Sequence, residues 1–258
     1  GVAGSVSVNL FDVDTVADIG ANSSLTLSGG DLVLRAVSAT STKTEAKPEN
    51  EDGAAGSGED VGVGASVAFD RSDAQTRATL QDAVNVAGTA RDLRIEATGI
   101  HDKTVDAENG AKGATGVGVS VGVALANNQT EARTGLGTGI SLTGAATVRT
   151  DHRETVTNKA DAEAAGSDTG VGASVGVTVI TDGSLAALNR NVTAGGNVIV
   201  ESSSLTSTTI DVKGSASGND KDAKNSDQEA SNQVNSNPNN GGDKELPKFE
   251  DKTKEGND

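Results

Sequence analysis

One phrase occurs four times in this chain and constrains its fold more than any other feature. It reads GVAGSVSV from Gly1, GVGASVAF from Gly62, GVGVSVGV from Gly116 and GVGASVGV from Gly170. Its central serines are Ser5, Ser66, Ser120 and Ser174, at spacings of 61, 54 and 54 residues. A near-fixed period of this size marks a supersecondary unit that cannot bury its apolar face alone and is stacked on copies of itself.

The unit is built of strands. In the fourth copy Val171, Ala173, Val175, Val177 and Val179 alternate with Gly170, Gly172, Ser174, Gly176 and Thr178, a period of two. The third copy, 116–169, divides into at least four short strand-like pieces bounded by Gly, Asn or Asp. A second phrase recurs at Asp31-Leu32-Val33-Leu34, Asp92-Leu93-Arg94-Ile95, Ala146-Thr147-Val148-Arg149 and Asn197-Val198-Ile199-Val200, each followed by a Ser/Thr-rich strand. Apart from an Ala-rich patch at Ala160 to Ala165, residues 1–214 offer no 3.6-residue apolar stripe.

Composition limits the interior. The chain has 33 Gly, three Phe and no Trp, Tyr, Met or Cys in 258 residues, so a core must come from Val, Ala, Leu and Ile. A narrow solenoid interior suits such residues better than a wide globule does. The expected fold is therefore all-β, a parallel β-solenoid (β-helix) of about four repeats: 1–60, 61–115, 116–169 and 170–214. Because about 54 residues exceeds one narrow coil, two coils per repeat are expected, giving some eight coils and a rod of about 40 Å at roughly 4.8 Å per layer. Its ends would be open strand edges.

Polar insertions separate the units at Lys47 to Asp60, Glu108 to Thr115 and Ala162 to Thr169, and they read as loops. The stretch 215–258 has almost no aliphatic residues and a Pro/Asn/Gly/charge bias, so it is expected to be a disordered insertion or linker. The net charge of −16 argues against a nucleic-acid partner. The longest nearly apolar stretch, Gly116 to Ala126, is too short for a membrane span. A chain that begins with Gly reads as a piece of a longer protein.

The phrase G-V-G-x-S-V-x-V, followed by a polar turn, a G-G-[DN]-x-x-[VI] strand and a Ser/Thr-rich strand, resembles repeat regions of very large secreted bacterial proteins. These are the filamentous-haemagglutinin-like and leukotoxin-like exoproteins and autotransporter-type passenger domains, and the resemblance covers about residues 1–214. It implies a right-handed parallel β-solenoid, secreted or at the cell surface, acting as stalk, adhesin or matrix filament. It transfers no catalytic residue. The calcium nonapeptide G-G-x-G-x-D is not present.

Asp12, Asp14 and Asp18 are candidate carboxylates for Ca²⁺, a hard ion that prefers oxygen, with Asp12 and Asp14 on one strand face. The competing reading is a turn column, since Asp73 and Asn127 sit at the same offset from their serines as Asp12 does. His101 and His152 read as solvated strand-end residues. The phrase's serines lie inside an alternating strand, unlike a nucleophile elbow, and small Gly/Ser side chains there would let a second sheet approach closely. Thr40-Ser41-Thr42-Lys43-Thr44 and Thr206-Ser207-Thr208-Thr209 suggest a hydroxyl ladder, interrupted in the middle repeats. Three glycosylation sequons begin at Asn22, Asn128 and Asn191.

The expected function is non-enzymatic: a structural segment of a large extracellular protein, partnered by neighbouring repeats or copies of itself and requiring no cofactor. A Ca²⁺-stabilised module binding surface glycans is the alternative, and a carbohydrate-active β-helix enzyme the third. Scarce aromatics weaken both sugar readings, and no convergent His, Arg, Lys and Asp set supports the enzyme.

Overall fold

The computed structural model describes residues 1–48 and 56–218. Residues 1–218 form one compact unit. The unit is all-β, with no helix among the described residues, and its long parallel strands are compatible with a β-helix. The strands are β1 (Val2–Ile19), β2 (Ser24–Ser28), β3 (Leu32–Ala46), β4 (Val61–Leu80), β5 (Asn85–Ala90), β6 (Leu93–Thr134), β7 (Ile140–Leu142), β8 (Ala146–Leu188), β9 (Val192–Ala194) and β10 (Val198–Ser217).

Pairing is parallel throughout. Ser5 pairs with Ser66, Ser66 with Ser120 and Ser120 with Ser174. The second phrase keeps register as well, through Leu32, Leu93, Ala146 and Val198. The sheet partner of each residue thus lies one whole repeat away, and a repeat contributes one layer, not the two expected. There are four layers: β1–β2–β3; β4–β5 and the first half of β6; the second half of β6, β7 and the first half of β8; the second half of β8, β9 and β10. The outermost strands stand about 14 Å apart at one strand spacing per layer, against the 40 Å expected.

Each layer has two long walls joined by a short one. The long walls belong to one sheet, and β2, β5, β7 and β9 form a second, four-stranded sheet. Straight, the 42 residues of β6 would span about 140 Å. The strand instead folds back near the register shift between Gly113 and Thr115, so that Asn109 Nδ2 donates to the Val119 carbonyl and Lys103 Nζ to that of Leu125. The stretches Glu108–Thr115 and Ala162–Thr169, expected as loops, are therefore strand with a sharp bend, because pairing to adjacent layers satisfies their backbone groups. The Ala-rich patch Ala160–Ala165 is strand for the same reason. Ser215, Ala216 and Ser217 pair with Glu163, Ala164 and Ala165 as the end of β10, so the expected disorder does not begin at 215. The remainder of 215–258, and residues 49–55 of the first insertion, lie outside the described residues.

The interior tapers. Where the short wall holds the long walls apart, Leu32, Leu34, Leu80, Val84, Leu93, Ile95, Ile140 and Val148 fill the space. Toward the bend the filling shrinks to Ala46, Ala68, Ala107 and Ala124 with Val105 and Val156, and finally to glycine. A Cβ on Gly116 would lie 2.7 Å from the Ala165 carbonyl oxygen, and one on Gly176 2.6 Å from Val212 Cγ2. This inverts the simplest reading of the repeated phrase. Its Gly/Ser side faces inward and its valines face out: Val2 is 84% and Val175 50% exposed. A second wall does approach the Gly/Ser side closely, as those small side chains suggested, but it is the opposite long wall of the same sheet, and it leaves no room for valine there.

Candidate functional site

Between the Leu/Ile end and the Gly/Ala end lies a buried band of polar side chains. It is set by register. One inward column runs Ser38, Gly99, His152, Ser204 and the next Thr40, His101, Glu154, Thr206. From the opposite wall, Val13, Ala74, Asn128 and Asp182 form one facing column, and Thr15, Thr76, Thr130 and Ser184 another.

The two histidines are not solvated strand ends. Both are buried, on adjacent columns of neighbouring layers, with ring centroids 5.7 Å apart. Their spacings from their serines, 35 and 32, differ by two because they occupy adjacent inward columns and by one more because the two phrases repeat at intervals of 54 and 53. His101 Nδ1 lies 2.8 Å from Thr40 Oγ1, and His152 Nδ1 2.9 Å from Thr130 Oγ1. Burial, followed by the nearby His152, lowers the His101 pKa to about 4.

His152, Glu154 and Asp182 bring one ligand atom each to within 4.8 Å of one another, and among the described residues they are the one such trio of His and carboxylates. Glu154 Oε2 accepts from Asn128 Nδ2 at 2.6 Å, and Asp182 Oδ2 accepts from Thr206 Oγ1 at 2.8 Å. Burial raises the Glu154 carboxyl to about 7, with Asp182 adding to the rise and the Asn128 hydrogen bond opposing it. Next in the band, Lys103 pairs with Asp70, which also accepts from Asn9 Nδ2 and Thr44 Oγ1.

Other expected sites fall elsewhere. Asp12, Asp14 and Asp18 are on the exposed face of β1. Asp14 pairs with Arg77 at 2.7 Å, and Asp18 accepts from Gln81. Asp12, Asp73 and Asn127 are one column as the offset implied, but the column lies within strands, not turns. Thr44 faces inward, and Thr40 turns its hydroxyl to His101, so these threonines make no outer hydroxyl ladder. Asn128 is fully buried, which takes its sequon off the surface. The serine column bridges the walls: Ser66 Oγ lies 2.9 Å from Ser120 Oγ, Ser120 Oγ donates to the Asp161 carbonyl, and Ser174 Oγ to that of Lys213.

Sequence reasoning missed Arg190. Its buried guanidinium donates to the carbonyls of Gly135 at 2.8 Å, Gln81 at 2.9 Å, Val84 at 3.1 Å and Leu136 at 3.3 Å. One side chain from the fourth layer thereby satisfies corner carbonyls of the second and third. Arg190 has no counterpart in the repeated phrases, so periodicity gave no signal for it.

No protein-family model, curated protein or solved structure matches the chain. No helix among the described residues is long and apolar enough to cross a membrane.

Proposed function

We propose that this chain is a structural segment of a large extracellular protein, a parallel β-solenoid whose end layers are built to be continued by further layers. It acts as a length of stalk or filament in adhesion or a surface matrix, secreted or at the cell surface, and works without catalysis. The observation that carries the reading is the edge pairing. Among the described residues β1, β2 and β3 each pair on one side only, as do β9, β10 and the second half of β8.

These edges are long, with 18 residues in β1 and 20 in β10. A chain meant to remain single blunts such edges with short strands, bulges, prolines or inward charges. Here both end layers keep the pattern of the inner ones, and Val2, Val6, Val8 and Val16 of β1 and the aliphatic residues of β10 stay exposed. The partner that fits is another layer of the same kind, from the same long chain or from a second copy. The resemblance of the repeated phrase to those of giant secreted bacterial proteins supports the same reading.

Sedimentation velocity across a concentration series, with and without calcium, tests it. Growth into long species is the expected result. Calcium dependence of that growth would give Asp12 and Asp14 a role in it. A monodisperse monomer at every concentration would contradict self-stacking.

A further inference from the structure

We propose that His152, Glu154 and Asp182 form a binding site for one divalent transition ion of the zinc class, which ties the third layer to the fourth. Three independent features converge on it. The first is reach: the ligand atoms lie within 4.8 Å of one another, and His152 Nε2 is 3.6 Å from Asp182 Oδ2. That approach brings the Asp182 carboxylate, whose Oδ1 is free, within reach of an ion held on His152 Nε2 at metal–ligand distances near 2.0–2.2 Å.

The second is unspent bonding capacity. His152 Nε2, Glu154 Oε1 and Asp182 Oδ1 are all buried without a hydrogen-bond partner. Leaving such atoms unsatisfied is costly, the more so when they are charged. An ion at their centre satisfies all three together.

The third is the outer ring of contacts. Thr130 holds His152 Nδ1, Asn128 holds Glu154 Oε2 and Thr206 holds Asp182 Oδ2. Metal-binding histidines and carboxylates are oriented in this way by partners on their other atoms. Those partners come from the facing wall and the adjacent layer, so the site exists only when the layers are stacked.

The donor set selects the ion. An imidazole nitrogen with two carboxylates suits zinc, cobalt or manganese better than calcium or magnesium, which take oxygen. Charge agrees, because two carboxylates and a neutral imidazole neutralise a divalent cation. The buried ammonium nearby, Lys103, is committed to Asp70 and the Leu125 carbonyl. His152 and Glu154 belong to the third layer and Asp182 to the fourth, so the ion would link layers as a structural element and needs no open path for substrate.

The competing occupant is a proton held on Glu154. The test is to unfold the full chain in denaturant with chelator, refold it with zinc or cobalt chloride, desalt it, and measure bound metal by mass spectrometry. The expected result is about one ion per chain. His152→Asn and Glu154→Gln should retain at least tenfold less, whereas His101→Asn keeps the ion. Asp182→Asn, at the less buried ligand on the last layer, serves if the other variants fail to fold. Cobalt should give visible absorption of a low-coordinate site, and zinc should raise the melting temperature of the wild type but not of the variants. Metal content equal in wild type and Asp182→Asn, or no retained metal in a folded wild type, would overturn the proposal in favour of the proton.

Discussion

Lys103 and Asp70 form an ion pair shut away from water, with Nζ 2.6 Å from Oδ1 and side chains 2% and 0% exposed. Burial alone would push the Asp70 carboxyl up, but hydrogen bonds from Lys103, Asn9 and Thr44 outweigh it and hold its pKa below the ordinary value. Removing one partner strands the other charge. Asp70→Asn or Lys103→Met should each cost about 3–5 kcal/mol, and the double variant much less than the sum. Urea denaturation of the four proteins measures this coupling.

The same pair fixes the sign of one pH dependence. Because the folded pKa of Asp70 lies below the unfolded value of about 3.9, its contribution is fully present above that value. It is lost as pH falls through the folded value. Denaturation midpoints should therefore show no change from this pair between pH 7 and 5 and a loss below about pH 4. Asp70→Asn should lack that acid-side loss, starting from a lower baseline.

The taper of the interior predicts unequal costs for one substitution. Gly116→Val places a Cβ against the Ala165 carbonyl, and overpacking of this kind costs about 1–3 kcal/mol or more. Val175→Thr, at an outward position of the same phrase, should change stability by less than about 0.5 kcal/mol. Equal effects at the two positions would mean that the phrase faces the other way.

Arg190→Met takes the shared guanidinium donor from the carbonyls of Gln81, Val84, Gly135 and Leu136, of which Leu136 still accepts from the Ala83 amide and Val84 from Thr138 Oγ1. A loss of about 2–4 kcal/mol is expected. Arg190→Lys should recover only part of it, since one ammonium cannot reproduce the planar fork.

Ala83 has φ of +57° at an exposed corner where Asn22 of the preceding layer has +59°. A left-handed alanine costs about 1 kcal/mol, and asparagine tolerates the conformation better. Ala83→Asn should raise the melting temperature by a few degrees. A fall would show that the corner relaxes without strain.

The period of the phrase, its strand alternation and the all-β class were legible in the sequence. Two things were not. The small Gly/Ser side chains pointed to close approach on their own face, but alternation did not say that the valines opposite face out. Here the bend at Gly113–Thr115 brings the walls so close that only Gly, Ala and Ser fit between them. The number of layers per repeat also escaped notice, because Glu108–Thr115 has the polarity of a loop but spends its backbone hydrogen bonds on the next layer. The His152–Glu154–Asp182 cluster was hidden for a related reason. Asp182 is 28 residues from Glu154 along the chain and belongs to the next layer, so only the register brings them together.

The columns and the buried site depend on one layer per repeat, and a cysteine pair tests that register most directly. The chain has no native cysteine, and Gln75 and Gln129 are sheet partners on the outer face. Their backbones are one strand spacing apart, about 4.8 Å, within the range a disulfide bridges. Gln75→Cys with Gln129→Cys should close a disulfide in the folded monomer under mild oxidation, visible as a mobility shift that reductant reverses. With two layers per repeat the pair would stand about 10 Å apart, no intramolecular bond would form, and the register described above would be wrong.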